Sequence, residues 1–270
     1  MAAEAASQPG AGKLAPVSIE APVAVTATDE GNTLAVPLRA VAAVPVEDTR
    51  FEFDSSFLLP DATRSLERVK PLHERFASAP IALFGHADRV GDEDYNKKLS
   101  GRRVRSVYAV LIRNTDIWED LYQNPLGGDR WQGKPVQTML EKLDFDPGPI
   151  NGAIGNKTKK AIKDFQAANG LPATGNLNPS TRQALFAAYM DAICTGTDGQ
   201  PFQLESGDFL GKGQDPSGKA DYQACSEFNP IFVPSKQQDK DFSAPSRKNQ
   251  RDYAQAPNRR VTLFLIDPAT

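Results

Sequence analysis

The loop Gly85-His86-Ala87-Asp88-Arg89-Val90-Gly91, with Tyr95-Asn96 and Leu99-Ser100-Gly101-Arg102-Arg103 behind it, holds the residues best suited to chemistry. Wound into a helix at about 100° per residue, Leu99, Val104, Val107, Val110 and Leu111 share one arc, and Asn96, Ser100 and Arg103 fall within it. Polar side chains turned toward a core need partners, because an unpaired buried guanidinium costs several kcal/mol. Asp88, on the loop before the helix, is the natural carboxylate for that site. Two readings stand side by side. Asp88 and Arg103 form a structural ion pair, or they line a pocket for a zwitterion. In the second case Asp88 takes an ammonium and Arg103 a carboxylate in bidentate geometry, the two groups that an amino acid carries. The chain has two histidines, His73 and His86, and no carboxylate cluster of ligand spacing. A hydrogen-bonding role is therefore expected for His86 rather than metal or base chemistry, and no cofactor is implied. Asp144, Asp146 and Gly148 superficially match a calcium loop but lack its later bidentate glutamate.

These residues need elements to hold them. Phe51 and Phe53 alternate with Glu52 and Asp54 as in a half-buried strand, and Pro60-Asp61 introduces a helix with Leu66, Val69, Leu72 and Phe76 on one face. Ile81-Ala82-Leu83-Phe84 reads as a short buried strand that runs into the Asp88 loop, and the second helix spans about 95–113. Arg259 to Ile266 reads as a last strand in need of a sheet. The order predicts an α+β sandwich with helices on one face. About 145 residues separate the second helix from the last strand, far too many for a loop, so an extra domain must sit there. Its helical stripes are Val136, Met139, Leu140 and Leu143; Ala161, Ile162, Phe165 and Ala168; and Leu185, Ala188 and Tyr189. Gly170 is placed to end the second of these helices, and Asn178-Pro179 to start the third.

The charge balance, 31 basic against 34 acidic residues and a formal net charge of -3, gives no basic excess for nucleic acid or anionic lipid. No apolar run approaches the roughly 18 residues of a spanning helix. The opening MAAEAASQPGAG lacks a basic start and an apolar signal core, which leaves the export route undecided. Residues 1–45 read as a flexible lead-in, part of which, from Thr33 to Val44, is suited to adding an edge strand. Cys194 and Cys225 are either a disulfide closing a loop of about 30 residues or two unrelated thiols.

Phe51-Glu52-Phe53-Asp54-Ser55-Ser56, GHADRVG at 85–91, YNKKLSGRR at 95–103 and NRRV at 258–261 resemble the OmpA C-terminal-like family in the right order. The resemblance implies a βαβαβ sandwich that binds peptidoglycan, with Asp88 and Arg103 gripping the diaminopimelate of the stem peptide. Asn96 matches the family's helix-start asparagine, and Leu99 and Arg259 sit where supporting contacts are expected. Ala87 replaces a usual threonine, and Arg103-Val104 the usual Arg-Ala. The segment from Val136-Gln137 through Gly148-Pro149-Ile150-Asn151-Gly152, Phe165-Gln166, Thr174-Gly175 and Leu185 resembles the peptidoglycan-binding domain 1 family, a three-helix wall-targeting module. After it, Phe209-Leu210-Gly211-Lys212-Gly213 and Cys225-Ser226-Glu227-Phe228-Asn229-Pro230 look like the continuation of the first family.

The expected architecture is thus an OmpA-like domain at 46–122 and 200–270 interrupted by a small all-α insertion at 126–196. The expected function is non-catalytic wall binding in the periplasm or cell envelope, with peptidoglycan as partner and a second, protein partner for the lead-in. Two alternatives remain: a wall-binding component or cargo of a secretion or contractile injection machine, and a hydrolase using carboxylates such as Asp144, Asp146, Asp215 or Glu227.

Overall fold

Val44, Val46, Ile81, Leu83, Val261, Leu263 and Leu265 recur with the two-residue period of strands, and they form one face of a four-stranded sheet in a computed structural model. The structure describes residues 27–28, 31–32, 38–214 and 220–268. The sheet order is β3 (Ala40–Glu47), β6 (Arg260–Ile266), β4 (Ile81–His86) and β5 (Tyr222–Ala224). β6 runs antiparallel to both of its neighbours, with Val44 opposite Leu263 on one side and Leu83 opposite Leu263 on the other. β5 is parallel to β4. On the opposite face Phe84 and Phe264 meet edge to face at 5.7 Å.

β3 starts inside the segment read as lead-in, because its alternating Val44 and Val46 supply an apolar edge to β6. The earlier part of the lead-in, including residues 33–37, lies largely outside the described residues. By itself it shows β1 (Ala27–Thr28) paired antiparallel with β2 (Gly31–Asn32). The Phe51 to Asp54 segment is not a strand: Phe51 makes an isolated bridge to Leu58, and Asp54 takes a positive φ of 52° in the turn between them. The continuation of the first family read at Phe209 to Gly213 and from Cys225 is split in its pairing with β4. Phe209 bridges to Ile81, a loop closed by Asp221 intervenes, and pairing resumes between Tyr222 and Leu83. Asp221 closes that loop by accepting from the backbone N–H groups of Gly211 (2.7 Å) and Gly213 (3.1 Å).

The first helix is broken into α1 (Thr63–Leu66) and α2 (Val69–Arg75). α3 (Glu93–Ile112) crosses the sheet, ends at Arg113 in the left-handed conformation, and is followed by α4 (Thr115–Gln123), whose Asn114 cap accepts from two backbone N–H groups. The inserted helices are α5 (Lys134–Lys142), α6 (Asn156–Ala168) and α7 (Pro179–Ile193). Gly170 follows α6 with φ +68°, and Asn178 caps α7 through Thr181 N at 2.9 Å. α5 and α6 each carry a buried glutamine that clamps the next loop. Gln137 accepts from Gly152 N and donates to Thr158; Gln166 accepts from Gly175 N and donates to Thr181. Two further short helices, α8 (Lys236–Phe242) and α9 (Lys248–Gln255), lead into β6.

Residues 40–268 form one compact unit, and a single hydrophobic core runs through both the sheet and the inserted helices. Their junction is aromatic: Phe57, Trp118, Trp131, Phe186 and Tyr189 pack with ring centroids 4.8–6.3 Å apart. Polar anchors secure it. Tyr189 donates to the Leu58 carbonyl at 2.9 Å, and Arg182 on α7 pairs with Glu119 on α4. Among the described residues no helix is long and apolar enough to cross a membrane.

Candidate functional site

β4 delivers the Asp88 loop to the first turns of α3, and a glycine sets their separation. A Cβ at Gly85 would collide with the Ser100 carbonyl oxygen on α3, so only glycine lets strand and helix approach this closely. Gly91, at φ +105°, turns the loop, and Asp92 then caps α3 by accepting from Tyr95 N at 2.8 Å. Asn96 fixes the loop from the helix side: its Nδ2 donates to the carbonyls of Asp88 and Val90, both at 3.1 Å.

The charged groups form a chain of pairs. Arg103 is buried, its Nη1 lies 3.1 Å from Asp48, its Nε donates to the Ser55 carbonyl at 2.9 Å, and its guanidinium lies over the Phe51 ring at 5.0 Å. Arg259 donates through Nε to Asp48 at 2.8 Å and through Nη1 to Asp88. The other Asp88 oxygen accepts from Val90 N at 2.9 Å. Asp88 therefore pairs with Arg259 and not with Arg103, whose acid is Asp48. Burial lowers the Arg103 pKa, against the pull of the Asp48 charge. Burial pulls on Arg259 in the same direction, but there the charge and hydrogen bond of Asp48, joined by Asp88, win and raise it.

All five sequence-expected residues, Asp88, Asn96, Leu99, Arg103 and Arg259, line one concavity of about 300 Å³. Sequence reasoning missed Asp48, Phe53, Asp54, Tyr95, Lys248, Arg251 and Asp252 on the same walls. With them the lining balances the acids Asp48, Asp54, Asp88 and Asp252 against the bases Arg103, Lys248, Arg251 and Arg259, and Phe53 stands 88% exposed at the site. Such a lining suits a ligand that carries both signs. Asp48 had no local signal, since it follows a strand about 40 residues upstream and meets its arginines only through the sheet. Phe53 and Asp54 lay within a recognised motif, and the turn at Asp54 is what brings them to the site.

The inserted segment braces this pocket from behind. Asp129, fully buried, accepts from Ser55 Oγ at 2.6 Å, Ser56 N at 2.9 Å and Ser56 Oγ at 2.6 Å, and pairs with Arg102. Trp131 Nε1 donates to Ser56 Oγ at 3.0 Å. These contacts hold the turn whose Ser55 carbonyl orients Arg103. Gly127 and Gly128 pack on Tyr95 and Asp54, and the Tyr95 hydroxyl donates to Asp54 at 2.8 Å. Burial, and then that bond, push the Tyr95 pKa up to about 12.

His86 is buried and its pKa falls to about 4, first through burial and then through the Arg260 charge. Cys194 and Cys225 are both free thiols in this structure. Cys194 is fully buried in the shared core at the end of α7, whereas Cys225 follows β5 at the sheet edge and is half-exposed. Of the carboxylates considered for hydrolysis, Asp146 accepts from Gly148 N at 2.8 Å, Glu227 lies 4.0 Å from Arg89, and Asp215 is outside the described residues. None of Asp144, Asp146 and Glu227 lines the Asp88 cavity.

Comparison with known proteins gives two family matches: residues 50–118 match the "OmpA family", and residues 134–185 match the "Putative peptidoglycan binding domain". Outer membrane protein A of Bordetella avium is 40% identical over 65 residues, 24% of this chain and 34% of the relative. The peptidoglycan-associated lipoprotein of Pseudomonas aeruginosa is 37% identical over 62 residues, 23% of this chain and 36% of the relative. A photosystem I P700 chlorophyll a apoprotein A2 of Gloeobacter violaceus is 37% identical over 65 residues, 24% of this chain but 8% of the relative. The chain thus spans about a third or less of the length of these curated relatives. What the matches and the fold establish together is a chain with an OmpA-family domain, followed within the same compact unit by a helical domain of the peptidoglycan-binding type.

Proposed function

We propose that the chain binds bacterial peptidoglycan without cleaving it, and that the Asp88 cavity takes the zwitterionic end of a stem-peptide diaminopimelate. The observation that carries this reading is the charge-balanced concavity in which Asp54, Asp88, Asn96 and Arg103 of the OmpA-family match meet Asp48, Lys248, Arg251, Asp252 and Arg259 from outside it. The four-membered chain Asp88, Arg259, Asp48 and Arg103 is already neutral, so a ligand with one ammonium and one carboxylate adds to it without leaving a net buried charge. In this reading the ammonium approaches Asp88 and the carboxylate approaches Arg103, while Asn96 and Leu99 shape the loop and wall. The relatives with printed outer-membrane and peptidoglycan-associated names support a cell-envelope setting for the binding.

The test is retention on purified sacculi that contain diaminopimelate, alongside titration with free diaminopimelate. Asp88→Ala and Arg103→Ala are each expected to weaken binding by about 2–5 kcal/mol, because each leaves a ligand charge without its partner. Full retention by both variants overturns the pocket assignment. Zymography on the same wall material is expected to show no clearing; clearing that vanishes with a carboxylate substitution overturns the non-catalytic reading.

A further inference from the structure

Beside the Asp88 concavity lies a second one of about 230 Å³, lined by Arg89, Val90, Asp239, Phe242, Ser243, Arg251 and Gln255. Val90 and Arg251 belong to both linings, so the two spaces adjoin across the loop after β4 and the face of α9. Its cations are weakly held. Among the described residues, Arg89 has Glu227 as its ion-pair partner, at 4.0 Å, and Arg251 hydrogen-bonds to its chain neighbour Asp252, at 3.1–3.2 Å and through one oxygen. Contrast Arg103 and Arg259, which are committed to Asp48 and Asp88. Gln255, buried beneath, accepts from Asn258 through Oε1 at 2.7 Å, which keeps its amide N–H groups as donors. Asp239, on α8, is the acid in this lining.

Two guanidinium groups with spare donors, at the edge of a space that continues a zwitterion pocket, match a carboxylate carried farther along the same ligand. We propose that this second cavity is a subsite for the carboxylate of the peptide residue next to the zwitterionic one, recognised by Arg89 and Arg251. This rests on the stem-peptide reading given above. Recognition then extends beyond the terminal amino acid to its neighbour, and amidation of the neighbouring carboxylate becomes the chemical difference that the protein detects.

Titration of the full chain with three soluble probes tests the subsite: free diaminopimelate, a stem peptide whose neighbouring residue bears a free carboxylate, and the same peptide with that group as carboxamide. The unaltered protein is expected to prefer the carboxylate form by about tenfold. Arg89→Gln, on the second cavity only, is expected to bind both peptides alike and free diaminopimelate as before. Equal binding of the two peptides by the unaltered protein, or an undiminished preference in Arg89→Gln, overturns the subsite while leaving the first pocket standing. Absence of binding to free diaminopimelate and to both peptides overturns the pocket and the subsite together.

Discussion

Arg103 does its work from a buried position, with its guanidinium shared among a carboxylate, a carbonyl and an aromatic face. Lysine would keep the charge but lose the planar fork that serves Asp48 and Ser55 together. Arg103→Lys is therefore expected to weaken diaminopimelate binding by about 1.5–3 kcal/mol, read by titration calorimetry; unchanged affinity would show that charge alone suffices. His86 makes a separate prediction. Its pKa falls from 6.5 to about 4 in the folded chain, so between those values the unfolded chain takes up a proton that the folded chain refuses. Its contribution is complete above pH 6.5, is lost as the pH drops toward 4, and amounts to on the order of 3 kcal/mol at most. Urea unfolding of the parent and His86→Gln across that range checks it: the stability difference should change with pH, and parallel curves would refute the assignment.

At the scale of elements, the close approach of β4 and α3 sets the loop that carries Asp88. Gly85→Ala is expected to push α3 off the strand, lowering stability by about 1–3 kcal/mol, because its methyl group meets backbone rather than a flexible side-chain end. Asp129 links elements otherwise far apart in sequence. Asp129→Ala leaves Arg102 and two serine hydroxyl groups without their acceptor in a buried site, with an expected loss of about 3–5 kcal/mol by chemical denaturation. Asp129→Asn retains the side-chain shape, and an accompanying loss of diaminopimelate affinity would show that the inserted segment orients the Ser55 turn. The helices with an apolar stripe, α3 and α5 to α7, were legible from their periodicity. α8 and α9 were not, since α8 buries no residue and α9 buries only Gln255, and without an apolar face there is no period to read.

For the whole molecule, the insertion is part of the core. Trp131, Phe186 and Tyr189 complete an aromatic cluster with Phe57 and Trp118, so neither portion closes its core alone. A single unfolding transition is expected, with calorimetric and van 't Hoff enthalpies in agreement; two separated transitions would show that the portions fold independently. Replacing 126–196 with a short linker is expected to unfold the remainder, because it removes Asp129 and three of the five rings of that cluster. Point substitutions are the sounder way to divide binding between the two portions.

By itself the sequence determined the strand β4, the helix α3 behind it, the presence of a helical insertion, and the neighbours Asp88, Asn96, Leu99 and Arg103 that come to line one concavity. Those features are local, because an apolar period, a cap or a charged loop is written within a few turns of chain. Only the tertiary structure decided which acid meets which arginine, that Asp48, α9 and Arg259 complete the pocket, and that the inserted helices share the core. Each of these depends on groups brought together across 40 to 210 positions by sheet register and core packing, and charge pairing over such separations leaves no periodic trace in the chain.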